Sequence, residues 1–327
     1  MAKKRKKSQK KVLQSVLSAV IVIILAIIAY FTEPWQYIDA NDSGDKANIS
    51  SAVEVDESRL AVYYIDVGQA DSILIKLPTG ENVLIDAGCE NDATASEVSE
   101  YLDFITAQGV ETIDYLFLTH PHFDHIGAAD DVILSFEIEN IILPDCDPLL
   151  WNNSSRANIL DAMEQKNYTY DTCEPGTIYN IGEAVFTVLG PVGSLDNISD
   201  ANDYSIVMRM VYGETSFMFT GDATESVEKD VIEKWGEDAL ECDVLKVGHH
   251  GSSTSSCKAF LEAVDPSLAV ISCGKDNSYG HPTEKVLTRL AENTSATILR
   301  TDEIGTVIIT SDGTTISLVT VETASSQ

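Results

Sequence analysis

The chain has 327 residues, 44% of them hydrophobic, which is enough to bury one large core or two ordinary ones. Lys and Arg total 21 against 52 Asp and Glu, and seven of those cations fall within the first eleven residues, so everything beyond them is more acidic still. Such a balance reads as a solvated acidic surface and argues against a nucleic-acid groove built from bulk positive charge, while six scattered cysteines without a CxxC pair give no support to a cysteine-ligated zinc site.

Residues 1–11 form a basic tail, and residues 12–31 (Val12 to Phe31) carry no charge and are dominated by Val, Ile, Leu and Ala. An apolar run of that length spans a bilayer as a helix. Cations crowd its N-terminal side while Glu33 and Asp39 follow it, so the positive-inside rule predicts a single-pass protein of the cell membrane with a cytoplasmic N-terminus and an extracytoplasmic body. The run lacks a small-x-small cleavage site, which favours an uncleaved anchor, and Trp35 and Tyr37 suit the outer interface. Residues 32–58, small, polar and acidic from Asn41 onward, read as a flexible tether, and the folded domain is expected over 59–322.

Within that domain, LAVYYIDV (60–67), DSILIKL (71–77) and ENVLIDAG (81–88) are short β-branched runs between turn residues, an antiparallel meander. Val98, Leu102 and Ile105 recur at helical spacing within 94–108. IDYLFLTH (113–120) is a buried strand ending in a histidine, and ENIILP (139–144) is another. The second half continues with strands at 184–190, 205–212, 215–222, 243–250 and 267–274, helices around 224–236, 256–263 and 283–292, and two closing strands. Two halves of mixed strands with covering helices predict an α/β (α+β) protein with stacked sheets and outer helices, an αββα sandwich.

All six histidines, His120, His122, His125, His249, His250 and His281, fall at the end of a predicted strand or in the loop after it. In the run His120-Pro121-His122-Phe123-Asp124-His125, alternate residues face one side, so His120 and His122 can share one metal while Asp124 and His125 take a second. Imidazole and carboxylate donors suit zinc, manganese or iron. Asp222, after Gly221 at a strand end, is placed to bridge two metals. His249 and His250 follow an apolar strand, where neighbours point oppositely, so one is expected to be a ligand and the other to contact substrate or orient it. There is no GxSxG elbow and no Walker-type phosphate loop.

These residues together resemble the metallo-β-lactamase superfamily and, more narrowly, the C-terminal hydrolase domain of ComEC-type DNA-uptake proteins. The narrower resemblance rests on IDVGQADSILIK (65–76), LIDAG (84–88), THPHFDHIG (119–127), NDYSIVMR (202–209), FTGD (219–222), LKVGHHGSS (245–253) and SYGHP (278–282), in the expected order across roughly 59–320. It implies a four-layer αββα sandwich with His120, His122, Asp124, His125, Asp222 and His250 as metal ligands, and Asp86 beneath the histidine loop as a residue that positions them. Two divalent ions, zinc or manganese, are implied, with Asp124, His249 and His281 carrying catalytic roles. Many members carry another histidine ligand where this chain has none: residues 126–221 lack histidine, and Asn202, Asp203 or Ser205 occupies the region, which favours weaker binding or a harder ion. Only one apolar span precedes the domain in place of the ComEC transport channel, so DNA uptake by this chain alone is not implied.

The resemblance points to a membrane-anchored phosphodiesterase or nuclease acting on DNA or another phosphodiester, with Lys246, Lys258, Lys275 and Arg209 as local cations for a nucleic acid. A hydrolase of a smaller extracellular phosphoester, ester or lactam is an alternative, as is a non-catalytic membrane-tethered binding domain.

Overall fold

The computed structural model describes residues 55–319, apart from 91–92, 147–150, 152–153, 194 and 196–197. The predicted basic tail, membrane span and most of the tether lie outside the described residues, as do residues 320–322. Among the described residues no helix is long and apolar enough to cross a membrane.

The meander is as expected. Strands β1 (Leu60–Tyr64), β2 (Ile73–Lys76) and β3 (Asn82–Ile85) pair antiparallel with Val62 opposite Ile75 and Leu74 opposite Leu84. Helix α1 (Ala95–Ala107) starts at a capping box in which Thr94 and Glu97 satisfy each other's backbone N–H. It crosses over to β4 (Thr112–Phe117), which is parallel to β3, as a helical crossover requires. The short helix α2 (Phe123–Ile126) and α3 (Ala129–Ser135) lead to β5 (Glu137–Leu143), and α4 (Ser154–Lys166) leads to β6 (Asp171–Thr172).

The second sheet begins with β7 (Ile178–Ile181), β8 (Ala184–Gly190), β9 (Val207–Tyr212) and β10 (Thr215–Phe219), all antiparallel. Three parallel strands follow, β11 (Val244–Lys246), β12 (Leu268–Ile271) and β13 (Thr297–Arg300), separated by α5 (Glu225–Trp235), α6 (Lys258–Val264) and α7 (Glu284–Asn293). After the short helix α8 (Thr301–Ile304), the closing strands β14 (Val307–Ser311) and β15 (Ile316–Val319) return to the first sheet, where β14 pairs with β1. The strand orders are β15-β14-β1-β2-β3-β4-β5-β6 and β13-β12-β11-β10-β9-β8-β7.

Side-chain alternation builds the layers. On the first sheet Tyr63, Leu74 and Leu84 pack against Phe104 of α1, Val132 of α3 and Ile159 of α4. Their neighbours Val62, Ile75 and Val83 point the other way and meet Phe186, Met208 and Phe217 of the second sheet. The far face of that sheet, with Met218, Leu245 and Ala269, is covered by Val231, Phe260 and Leu290 of α5, α6 and α7. Helix, sheet, sheet and helix thus enclose three apolar seams. Strands buried on both faces explain why their sequences read as unbroken apolar runs.

Candidate metal centre

The histidines meet at one edge of the sandwich because strand ends from both sheets open there. β3 runs out into Asp86, β4 into His120, β10 into Asp222, β11 into His249 and His250, and β12 into Ser272. The sheets are tied together at this edge where the Ile206 N–H donates to the Thr119 carbonyl at 3.1 Å.

Two groups of donors share one carboxylate. Asp124, His125, Asp222 and His250 form one, His120, His122 and Asp222 the other, and within each group ligand atoms lie within 4.8 Å of one another. His125 Nε2 is 3.1 Å from Asp222 Oδ1, and His250 Nε2 is 3.3 Å from Asp124 Oδ2. His120 Nε2 lies 3.8 Å from Asp222 Oδ2 and 3.1 Å from His122 Nδ1. The Asp222 carboxylate is 1% exposed, yet neither oxygen receives a hydrogen bond of acceptable geometry. A buried carboxylate that accepts no hydrogen bond and is ringed by imidazole nitrogens is costly without a cation among them, so this donor set fits a divalent metal pair.

Surrounding groups aim the imidazoles. The Asp86 carboxylate accepts from the Thr119 backbone N–H (2.7 Å) and hydroxyl (2.8 Å) and lies 2.7 Å from His125 Nδ1. His250 Nδ1 is 3.0 Å from the Ser272 carbonyl, which can only accept. Nδ1 therefore carries the proton on both rings, and each Nε2 turns toward Asp222. The Thr119 hydroxyl proton is committed to Asp86, so its oxygen is left to accept from His120 Nδ1 at 3.2 Å, which frees His120 Nε2 in the same way. Asp86 has φ of 60°, a left-handed conformation that Asp tolerates better than bulkier residues.

The charges are strongly coupled. Burial opposes ionisation of Asp222, but the positive charge of His125, His250 and His249 outweighs it and holds its pKa well below the carboxylate range. Burial likewise disfavours the charged form of His125, yet Asp222 and Asp86 raise its pKa well above normal. His120 is depressed by burial and by the neighbouring His125. Asp124 resists its own burial through the His250 hydrogen bond and stays more acidic than usual. Negative charge held in place while neighbouring imidazoles compete for protons is the electrostatic profile of a cation site.

Residues 65–275 match the metallo-beta-lactamase superfamily. The chain belongs to that superfamily. It is 32% identical over 275 residues to ComE operon protein 3 of Bacillus subtilis (strain 168), an alignment covering 79% of this chain and 33% of that protein. Competence protein ComA of Neisseria gonorrhoeae is 32% identical over 251 residues, 77% of this chain and 32% of that protein. The chain therefore spans about a third of the length of these curated relatives. The metallo-beta-lactamase fold protein YhfI of Bacillus subtilis superposes with a TM-score of 0.50 at 12% identity, covering 77% of this chain and 100% of that one, which supports the fold alone. The ComEC-type resemblance drawn from the motifs is borne out.

Within this metallo-beta-lactamase framework, several expectations change. His249 and His250 do not point oppositely: β11 ends at Lys246, both residues adopt positive φ (53° and 52°), and their Nε2 atoms lie 3.5 and 3.7 Å from Asp222. His281 stands at the rim, its ring centroid 5.7 Å from that of His249 and its Nδ1 3.5 Å from Gln69 Nε2. Its pKa is pushed down to about 4 by burial and by His249 and His250. In the region without a histidine, the Ser205 hydroxyl accepts the Asp222 N–H at 3.0 Å, and the buried Asn202 leaves Oδ1 without a hydrogen-bond partner.

Lys246 is the clearest correction. Expected as a nucleic-acid contact, it is fully buried, and its Nζ lies 2.6 Å from Asp71 Oδ2. Asp71 in turn lies 3.6 Å from His250 Nδ1. Its role was missed, although a lysine inside the apolar run VLKVG signals a buried partner. Of the other cations, Arg209 donates to the Glu241 carbonyl, Lys258 pairs with Glu262, and Lys275 is exposed. All six cysteines are free thiols.

Proposed function

We propose that this protein is a dinuclear metal-dependent phosphodiesterase or nuclease, anchored by residues 12–31 with its domain outside the membrane. The observation that carries the reading is Asp222, a buried carboxylate common to two donor groups and lacking any hydrogen bond of its own. In this assignment His120, His122 and Asp222 would hold one ion, and Asp124, His125, His250 and Asp222 would hold the other. Zinc or manganese in these positions supplies Lewis acidity and lowers the pKa of water toward neutrality.

The chain's own residues do the rest. Asp86, Thr119 and Ser272 keep Nδ1 protonated on His125, His120 and His250 so that each Nε2 is available as a donor. His249 is half-buried, with Nδ1 3.0 Å from the Thr254 hydroxyl and Nε2 3.5 Å from Asp222 Oδ2, which sets an imidazole beside the donor cluster where, in this reading, it would protonate the departing oxygen. His281 lines the approach beside it. No side chain is needed as a covalent nucleophile.

The competence proteins to which the chain is similar favour DNA as the substrate. The formal net charge of −31 favours a second reading, a smaller extracellular phosphoester that needs no basic track. The test is metal analysis of the full chain coupled to hydrolysis of single-stranded DNA, bis-p-nitrophenyl phosphate and nitrocefin. Asp124→Ala and His125→Ala should both lose activity while remaining folded, and unchanged cleavage in either would sink the two-metal assignment. Protease accessibility in intact cells against permeabilised cells tests the orientation.

A further inference from the structure

Three rings run in file from the donor cluster to solvent. His249, with Nε2 3.5 Å from Asp222 Oδ2, meets His281 edge-on at 5.7 Å and 75°. His281 is stacked against Tyr279 at 5.7 Å and 25°. Tyr279 is 60% exposed, the most exposed large hydrophobic side chain among the described residues.

The loop that carries this ring is held in place. The Asn277 side chain accepts the His281 N–H at 3.0 Å and donates to the Gly274 carbonyl at 2.9 Å and to the His281 carbonyl, closing residues 274–281 on themselves. The Gly274 N–H donates to Gln69 Oε1 at 3.0 Å, and Gly274 has no room for a side chain because a Cβ there would lie 2.7 Å from the Gln69 nitrogen. An exposed aromatic ring on a braced loop is preorganised to receive a flat partner, because little ordering remains to be done on binding.

We propose that Tyr279 is a stacking platform for an unpaired nucleobase of the phosphodiester held at the Asp222 cluster, an inference that rests on the phosphodiesterase reading above. Beyond residues 1–11 the sequence has 14 Lys and Arg against 52 Asp and Glu, a balance that gives a nucleic-acid backbone little to bind, so affinity is expected to rest on contacts that need no cation, and base stacking is such a contact. A single open ring suits a nucleobase better than a quaternary ammonium group, which is bound by a box of several aromatic faces. Single-stranded nucleic acid is therefore the substrate class, since a duplex keeps its bases stacked on one another.

The test uses the full chain in detergent, loaded with zinc or manganese, and two fluorescent oligomers of equal length: oligothymidylate and the same backbone with abasic sites. Binding is read by anisotropy and cleavage by electrophoresis. The wild type should prefer the base-bearing oligomer about tenfold in both Kd and KM, with a ratio that changes little with salt. Tyr279→Ala should bring the ratio near one, and Tyr279→Trp should restore it, which a purely structural role for the ring would not do. Equal handling of the two oligomers by the wild type, or a preference that survives Tyr279→Ala, would overturn the platform. Base-preferring binding without cleavage of either oligomer would support the platform and overturn the phosphodiesterase reading alone.

Discussion

Lys246 Nζ and Asp71 Oδ2 lie 2.6 Å apart at the seam between the two sheets, with both side chains closed off from solvent. Lys246 ends β11 in the second sheet, and Asp71 precedes β2 in the first. The lysine also donates to the Val247 carbonyl at 3.1 Å, at the start of the turn that carries His249 and His250. The pair is thus a strut between the halves of the sandwich, directly behind the donor cluster.

Removing one partner strands a buried charge. Lys246→Met should lower the free energy of unfolding by about 3–5 kcal/mol, the cost typical of breaking a buried pair. Combining it with Asp71→Asn should recover much of that loss. Denaturant titration of the single and double variants measures the difference, and strictly additive losses would mean that the two residues are not coupled.

Asp86 accepts three hydrogen bonds, from the Thr119 N–H, the Thr119 hydroxyl and His125 Nδ1. An amide in its place offers only one oxygen. Asp86→Asn should therefore leave His125 poorly oriented and weaken metal binding by about 10–100-fold. Competition with a chromogenic chelator reads this directly, and unchanged affinity would remove Asp86 from the support of the site.

Metal removal should destabilise the fold, because the Asp222 carboxylate is buried without a hydrogen bond. With free metal at a thousand times Kd, binding to the native state alone adds about 4 kcal/mol. Chelation should lower Tm, and added zinc or manganese should restore it. In Asp222→Asn the metal-dependent increment should shrink sharply, since both donor groups lose their common member. A Tm indifferent to chelation would argue against a bound metal pair.

Glu228 on α5 is 2% exposed and accepts the backbone N–H groups of Ser256 and Cys257 at the start of α6. Burial raises its pKa from 4.5 to about 7 despite those two donors. The folded state then holds this proton more tightly than the unfolded chain, so the group's contribution to stability falls as pH rises from about 4.5 to about 7. Across that window the loss is of order 3 kcal/mol. Glu228→Gln should flatten this part of the pH dependence in parallel denaturant titrations. Identical slopes in the two proteins would reject it.

Much of the fold and the site was legible in the linear chain. Strands buried on both faces leave long apolar runs, so β1 to β5 and β8 to β12 were visible, and clustered histidines marked the site because His, Asp and His side chains at that spacing can converge on one point. Helix α4 left no such trace: its buried face is only Ser155, Ile159, Ala162 and Met163, too sparse a stripe to stand out. What the tertiary structure alone decided depends on partners distant in sequence. The closing strands β14 and β15 join the first sheet because β1 offers an edge there, not because of anything in their own pattern. Two consecutive left-handed residues turn both His249 and His250 onto Asp222, where strand alternation would have separated them. Lys246, read as a local cation for a nucleic acid, is an internal strut because the counter-charge it meets lies across the seam on Asp71, 175 residues earlier.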